Sequence, residues 1–213
     1  MKDFLRYVAV LFVICSVAAA VLATVYEVTK EPIAASRRQQ TLDAIQTVLP
    51  AFEKVVDAEE VRQFLGDPGL PEIYPAYTGG ELIGAAIKVT DPDGYGGDVT
   101  YMIGVTTDER INAIQLLAHK ETPGLGTKLA EEPFAGQFRG LEVPEGGLQV
   151  DKDGGTIQSI TGATISSRTA TDSATRAVEI FRAHAVALAE LQRALEEQPE
   201  EVPEEAAGEV NHG

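Results

Sequence analysis

The first apolar run, residues 7–26, carries no charge over its twenty positions. As a helix rising about 1.5 Å per residue it spans about 30 Å, the thickness of a bilayer's hydrocarbon core. Ten of the twenty are Val, Leu, Ile or Phe, which together contribute about −3 to −6 kcal/mol to insertion. Lys2 and Arg6 precede the run, and Glu27, Lys30 and Glu31 follow it. The positive-inside rule therefore places residues 1–6 in the cytoplasm, residues 7–26 across the cytoplasmic membrane, and the rest on the periplasmic or extracytoplasmic side. Ala18, Ala20 and Ala23 would also suit a signal-peptide cleavage site. The length of the run and its helix-compatible continuation favour a retained single-pass anchor; in both readings the globular part is exported.

Beyond the anchor the pattern changes. Glu31-Pro32 is expected to break the first helix. Leu42, Ile45, Val48 and Leu49 then recur at helical spacing, which predicts a helix over 36–49, capped by Ser36 and stopped by Pro50. Residues 51–80 predict a short helix near 58–65 followed by loop, so 27–80 reads as a helical linker and the start of the exported domain. Three β-rich runs follow, Leu82–Val89, Val99–Thr106 and Ile111–Ala118. With Asp108–Arg110 as a hairpin connection they predict an antiparallel meander. A short helix is expected over 128–138, with Leu129, Phe134 and Phe138 inward, then a brief strand at 148–150 and a last strand at 156–160. From about Ser167 a long helix begins, marked by Ala170, Ala174, Ala177, Val178, Phe181, Ala185, Leu188, Leu191 and Leu195. The fold class is thus α+β: an N-terminal transmembrane helix, a mainly antiparallel sheet packed with helices, and a long C-terminal helix. Residues 81–197 hold the main domain. The last segment, 198–213, has five glutamates and no Lys or Arg, and reads as a disordered acidic tail.

Composition narrows the partners. The chain has 213 residues and a net charge of −16, which opposes nucleic acid through phosphate repulsion. Its one cysteine, Cys15, lies in the apolar run, so no intrachain disulfide forms. His119 has no Cys or second His at metal-ligand spacing, so no metal site is expected. No Ser-His-Asp set or carboxylate pair is evident, and no catalytic residue is assigned.

Three polar connections concentrate the candidate chemistry. Asp91–Asp98, DPDGYGGD, places Gly94, Gly96 and Gly97 around Tyr95; it reads as a hairpin turn with an exposed tyrosine or as one wall for a flat aromatic ligand. His119–Lys128, HKETPGLGTK, gathers His119, Glu121, Thr122, Pro123, Gly124, Leu125 and Gly126 at a strand end, a common place for ligand contacts. Thr161-Gly162-Ala163-Thr164 precedes the long helix, followed by Ile165, Ser166 and Ser167, with Thr169 further on. A helix start offers unpaired N–H groups and partial positive charge to a phosphate. The hydroxyls there suit simple capping, reversible phosphate binding, or covalent attachment of a phosphate-bearing cofactor. Local spacing leaves the three open.

The ordered set of an N-terminal membrane helix, a helix ending in LP, the GYGG loop, the HKETPGLGTK turn and ITGATISS resembles the G-subunit family of the Rnf electron-transport complex. It is also similar to the related C-type component of the sodium-translocating NADH:quinone reductase. The resemblance covers about residues 5–195. It makes 81–197 an FMN-binding domain, with FMN linked by a phosphoester to the second threonine of the S/T-G-A-T motif. Here that residue is Thr164, with Thr161 in the first position. The family often has an acidic residue three positions before the first Ser/Thr, where this chain has Gln158. The resemblance further implies that His119–Gly126 lies near the flavin and that Gly94–Gly97 lines its pocket. It implies a subunit that relays electrons rather than an enzyme alone, in a complex coupling ferredoxin–NAD electron transfer to ion transport. The partners implied are the other integral and peripheral subunits, a flavin transferase during maturation, and the lipid membrane. A quinone-reductase C-type subunit and a membrane-anchored FMN-binding sensor are the alternative readings.

Overall fold

The computed structural model describes residues 2–197. The acidic tail expected at 198–213 lies outside the described residues. The chain divides into two units between Ala44 and Ile45.

The first unit is helical. Helix α1 (Lys2–Val48) begins there, and it is long and apolar enough to cross a membrane. The side chains of residues 7–26 are exposed. Thr24 and Thr29 return their hydroxyl hydrogens to the carbonyls of Ala20 and Val25, each at 2.8 Å. Such back-bonding satisfies both threonine hydroxyl donors within the helix itself. The expected break at Glu31-Pro32 does not occur: α1 runs through Pro32. An interior proline costs about 3 kcal/mol, yet the flanking turns are helix-favouring, with Glu27 and Lys30 paired at 2.5 Å across one turn. Ser36 is accordingly interior to α1 and caps nothing.

The second unit is built on a five-stranded antiparallel meander. Its strands are β1 (Lys54–Val55), β2 (Glu72–Thr78), β3 (Glu81–Asp91), β4 (Val99–Thr106) and β5 (Ile111–His119), in spatial order β1-β2-β3-β4-β5. The three predicted runs form β3, β4 and β5. Strand β2 falls where loop was expected. Pro75 obscured it, and its register explains why it is tolerated. The Pro75 carbonyl accepts from Val56 N at 3.0 Å, just past the end of β1. Its missing N–H therefore faces the side where β1 supplies only a two-residue strand. Helix α2 (Ala58–Leu65) forms as predicted, with Asp57 accepting from Glu59 N at its start and Gly66 in the left-handed region at its end.

One face of the sheet carries Ile73, Tyr77, Ile87, Tyr101, Ile103 and Val105, all buried. Helix α4 (Thr164–Glu197) packs there through Ala170, Ala174, Ala177, Val178, Phe181, Leu188 and Leu191. Tyr77 ties the layers by donating to the Leu188 carbonyl at 2.6 Å. On the other face Gly104 permits a close approach. A Cβ there would stand 1.9 Å from the Val48 carbonyl oxygen, which also accepts from Asn112 Nδ2 at 2.8 Å. Asn112 thus satisfies an orphan carbonyl at the end of α1.

Three other expectations change. The helix expected over 128–138 is instead a 3₁₀ turn (Gly126–Ala130), the short helix α3 (Glu132–Ala135) and a second 3₁₀ turn (Gly136–Phe138). Pro133 suits the first turn of α3 but would disrupt a helix interior. Leu129, Phe134 and Phe138 nevertheless point inward, the two rings meeting edge to face at 5.6 Å. The strands expected at 148–150 and 156–160 reduce to a single Val150–Ile157 bridge. The backbone N–H groups of Gln158, Ser159 and Ile160 go to side chains instead of a ladder.

Candidate functional site

The strand ends decide where the polar connections meet. Asp91 pairs with Val99 and Val99 with His119, so the β3–β4 loop and the turn after β5 leave the same end of the sheet. Helix α4 begins against them. It starts at Thr164, three residues earlier than the hydroxyl pattern predicted. Between these segments lies a cleft of about 560 Å³ lined by Tyr95, Glu121, Thr122, Leu125, Gly162, Ala163, Thr164, Ile165 and Ser166. Members of all three predicted segments are thereby brought together. Gly94, Gly96, His119, Pro123, Gly124, Gly126, Thr161 and Ser167 belong to the same segments but do not line the cleft.

Glycine is required where the first two segments touch. A Cβ on Gly96 would stand 2.0 Å from the Lys120 carbonyl oxygen, and within the second segment one on Gly126 would stand 2.2 Å from Glu121 Cβ. Glu121, 7% exposed, joins the segments from within. Its Oε1 accepts from Gly96 N at 3.4 Å, while its own N–H donates to His119 Nδ1 at 3.2 Å. That bond makes Nδ1 an acceptor, so His119 acts here as a brace for the turn. Within the turn, Thr122 O accepts from Leu125 N at 3.1 Å and Gly126 N at 3.0 Å. Outside, Lys120 pairs with Asp98 at 3.3 Å. Tyr95 remains 72% exposed as one apolar lip of the cleft. Gly96→Ala should force the loop and turn apart. The expected cost is roughly 1–3 kcal/mol, a fall of roughly 2–12 °C in Tm by thermal unfolding.

The third segment turns tightly before the helix. Ala163 N donates to Ile160 O at 2.9 Å, with Gly162 at φ 82° between them. This is a turn whose third residue favours glycine. The first intrahelical bond runs from Ser167 N to Ala163 O at 2.9 Å. The N–H groups of Thr164, Ile165 and Ser166 precede it and are available to an anion. Thr164 is half-buried in the cleft wall. The hydroxyls of Ser167 and Thr169, expected near a phosphate, are occupied elsewhere. Ser167 Oγ donates to Ala163 O at 2.9 Å and accepts from Ile160 N at 3.0 Å. Thr169 Oγ1 donates to Ser166 O at 2.7 Å.

Tyr101 is a support that sequence reasoning missed. It is fully buried on β4 and its hydroxyl meets Thr169 Oγ1 at 3.2 Å. Burial pushes its phenol well above the ordinary tyrosine range, so it stays a donor and braces the first turns of α4 from below. Only its place in an alternating strand, toward the core, could have drawn attention to it.

Among the described residues no Lys or Arg lines the cleft. An anion there would be held by backbone N–H groups and hydroxyls rather than by an ion pair. The apolar side from Tyr95, Leu125 and Ile165 suits a flat ring, and the volume lies within the range of ordinary cofactor sites. The residues present therefore fit a ring-bearing phosphate ester whose phosphate sits at the start of α4.

Residues 94–179 match the model of the FMN-binding domain, and residues 1–48 match that of the RnfG N-terminal region. The G subunit of the ion-translocating oxidoreductase complex of Aliivibrio fischeri is 33% identical over 181 residues, covering 79% of this chain and 86% of the relative. The G subunit of the Na(+)-translocating ferredoxin:NAD(+) oxidoreductase complex of Acetobacterium woodii is 33% identical over 185 residues, covering 81% and 89%. The corresponding G subunit of Pseudomonas aeruginosa is 30% identical over 218 residues, covering 97% and 96%. Among solved structures, the C subunit of the Na(+)-translocating NADH-quinone reductase from Parabacteroides distasonis aligns with a TM-score of 0.46 at 18% identity, covering 72% of this chain and 83% of that one.

Proposed function

This chain belongs to the G-subunit family of ion-translocating oxidoreductase complexes, and from that membership we propose that it is a single-span subunit that bears covalent FMN and relays electrons in an Rnf-type membrane complex. The observation that carries the reading is the single cleft joining Thr164, the Tyr95 loop and the Glu121–Leu125 turn within the segment matching an FMN-binding domain. Thr164 Oγ1 is the attachment atom, and the ester keeps one negative charge beside the N-terminal end of α4. The N–H groups of Ile165 and Ser166 hold the phosphate oxygens. Bound FMN supplies a ring that takes up and releases electrons, and the protein supplies its position and surroundings. Tyr95 and Leu125 flank the ring space, and Glu121 keeps the loop and turn closed together.

The anchor explains why the bond is covalent. Residues 7–26 cross the membrane, residues 1–6 remain in the cytoplasm, and the FMN domain lies outside, where no FMN pool replaces a lost cofactor. In the complex, electron transfer between ferredoxin and NAD is coupled to ion translocation; this chain binds neither ferredoxin nor NAD. A flavin transferase supplies the flavin during maturation.

Purification from native membranes tests the assembly. Tagged full-length chain should remain in the membrane fraction after an alkaline wash and bring integral redox subunits with it through detergent purification. Purification of the flavin-loaded chain alone, at full yield and under several mild detergents, would favour a sensor module over a relay subunit.

A further inference from the structure

Thr164 follows a segment whose backbone is held by side chains from three separate elements. Gln158 N donates to Gln137 Oε1 at 2.7 Å, Ser159 N to Asp151 Oδ1 at 2.9 Å, and Ile160 N to Ser167 Oγ at 3.0 Å. Gln137 returns a second bond from Nε2 to Gln158 O at 3.2 Å, so its amide grips both the N–H and the C=O of one residue. Asp151 is held as a carboxylate, its pKa lowered to about 2 first by the Ser159 hydroxyl and then by the Ser159 N–H. Ser167 passes its hydrogen on to Ala163 O at 2.9 Å, linking the residue before the Thr161-Gly162 turn to the residue after it. The turn itself closes through Ala163 N and Ile160 O. None of these three side chains lines the cleft. Gln137 sits on the 3₁₀ turn at Gly136–Phe138, Asp151 on another at Asp151–Asp153, and Ser167 on α4. An ordinary exposed connection would leave such N–H groups to water. Here three successive ones are fixed immediately before the turn that delivers Thr164.

We propose that Gln137, Asp151 and Ser167 form a clamp that sets the position of the Thr164 hydroxyl for flavin attachment. This rests on Thr164 being the attachment residue. In the attachment step Thr164 Oγ1 forms a bond to the flavin-bearing phosphorus of a phosphoanhydride donor. The anhydride P–O bond breaks, a nucleoside monophosphate leaves, and the hydroxyl proton passes to a base of the transferase. No electron is gained or lost. Misplacement of a reacting group by about 1 Å costs on the order of 10²-fold in rate, so a loosened segment slows attachment without touching the hydroxyl. The three are positioning residues.

The test uses purified, flavin-free full-length chain in detergent with a flavin transferase and FAD. The initial rate of attachment is read by intact mass, and amide hydrogen exchange is followed in parallel. Asp151 is exposed, so Asp151→Ala is the principal variant. It should slow attachment tenfold or more and speed exchange at residues 158–160, with protection in β3, β4 and the body of α4 unchanged. Asp151→Asn retains an acceptor and should recover most of the rate. Gln137→Ala should behave like Asp151→Ala, again with normal protection in the sheet. Faster exchange at 158–160 together with a wild-type attachment rate would overturn the clamp. A wild-type chain that accepts no flavin would instead overturn the attachment reading, and the clamp with it.

Discussion

Thr164→Val leaves the chain folded and wholly without covalent flavin. Valine matches threonine in shape and keeps its β-branch, so the start of α4 retains its backbone and packing. What is lost is Oγ1, and with it the only atom through which the proposed ester forms. The hydroxyls of Ser167 and Thr169 do not substitute. Ser167 Oγ is bonded to Ala163 O and Ile160 N, and Thr169 Oγ1 is buried between Ser166 O and the Tyr101 hydroxyl. Thr161 is exposed, in the turn rather than on the cleft wall, so Thr161→Val should retain the label at reduced efficiency. In-gel flavin fluorescence after co-expression with a flavin transferase checks both. Label retained by Thr164→Val would show that the attachment atom is another one.

Phe181→Ala is expected to destabilise the second unit strongly. Phe181 is 1% exposed on the face of α4 that meets β3 and β4. Truncation to alanine removes the buried ring and leaves a cavity, at a cost of about 3–5 kcal/mol. That is a large share of the 5–15 kcal/mol that ordinarily separates folded from unfolded chains. Thermal unfolding by circular dichroism should show a Tm lowered by roughly 6–20 °C. The same helix supplies Thr164 as its first residue, so attachment at temperatures near the lowered Tm should fall as well. An unchanged Tm would mean that α4 is not anchored to the sheet through this ring.

The sheet was legible in its three longest strands. Strands β3, β4 and β5 combine β-formers with clear turn signals, and their register brought the glycine loop and the Glu121 turn to one end as the meander implied. Strand β2 was hidden because Pro75 reads as a breaker. Its tolerance depends on facing a two-residue neighbour, a fact of tertiary pairing. Pro32 misled in the same direction, since α1 absorbs the loss of one helical bond. The start of α4 was hidden because Thr164 and Ile165 are β-branched, weak helix formers beside a glycine turn. A turn centred on Gly162 begins the helix there instead.

The candidate site was legible as three segments but not as an arrangement. Glycine at 96 reads as flexibility in the sequence; in the fold it is room for two backbones to touch, while Gly126 makes room for the side chain of Glu121. Glu121 reads as a ligand contact, and it lines the cleft, yet it is buried and also holds the Gly96 amide. The contact between Tyr101 and Thr169 joins residues 68 positions apart, beyond the reach of any local pattern. Likewise Ser167 looked like a phosphate ligand because it is polar and near a helix start. Its hydroxyl instead closes the turn that presents Thr164.

One oxygen, Thr164 Oγ1, is proposed to carry FMN. Tryptic digestion of chain purified from native membranes releases residues 153–168 as one peptide, bounded by Lys152 and Arg168. Fragmentation mass spectrometry of that peptide, after full denaturation, locates any attached mass residue by residue. The expected result is one FMN phosphodiester, on Thr164. Recovery of the peptide unmodified, or with the flavin on Thr156, Ser159, Thr161, Ser166 or Ser167, would contradict it.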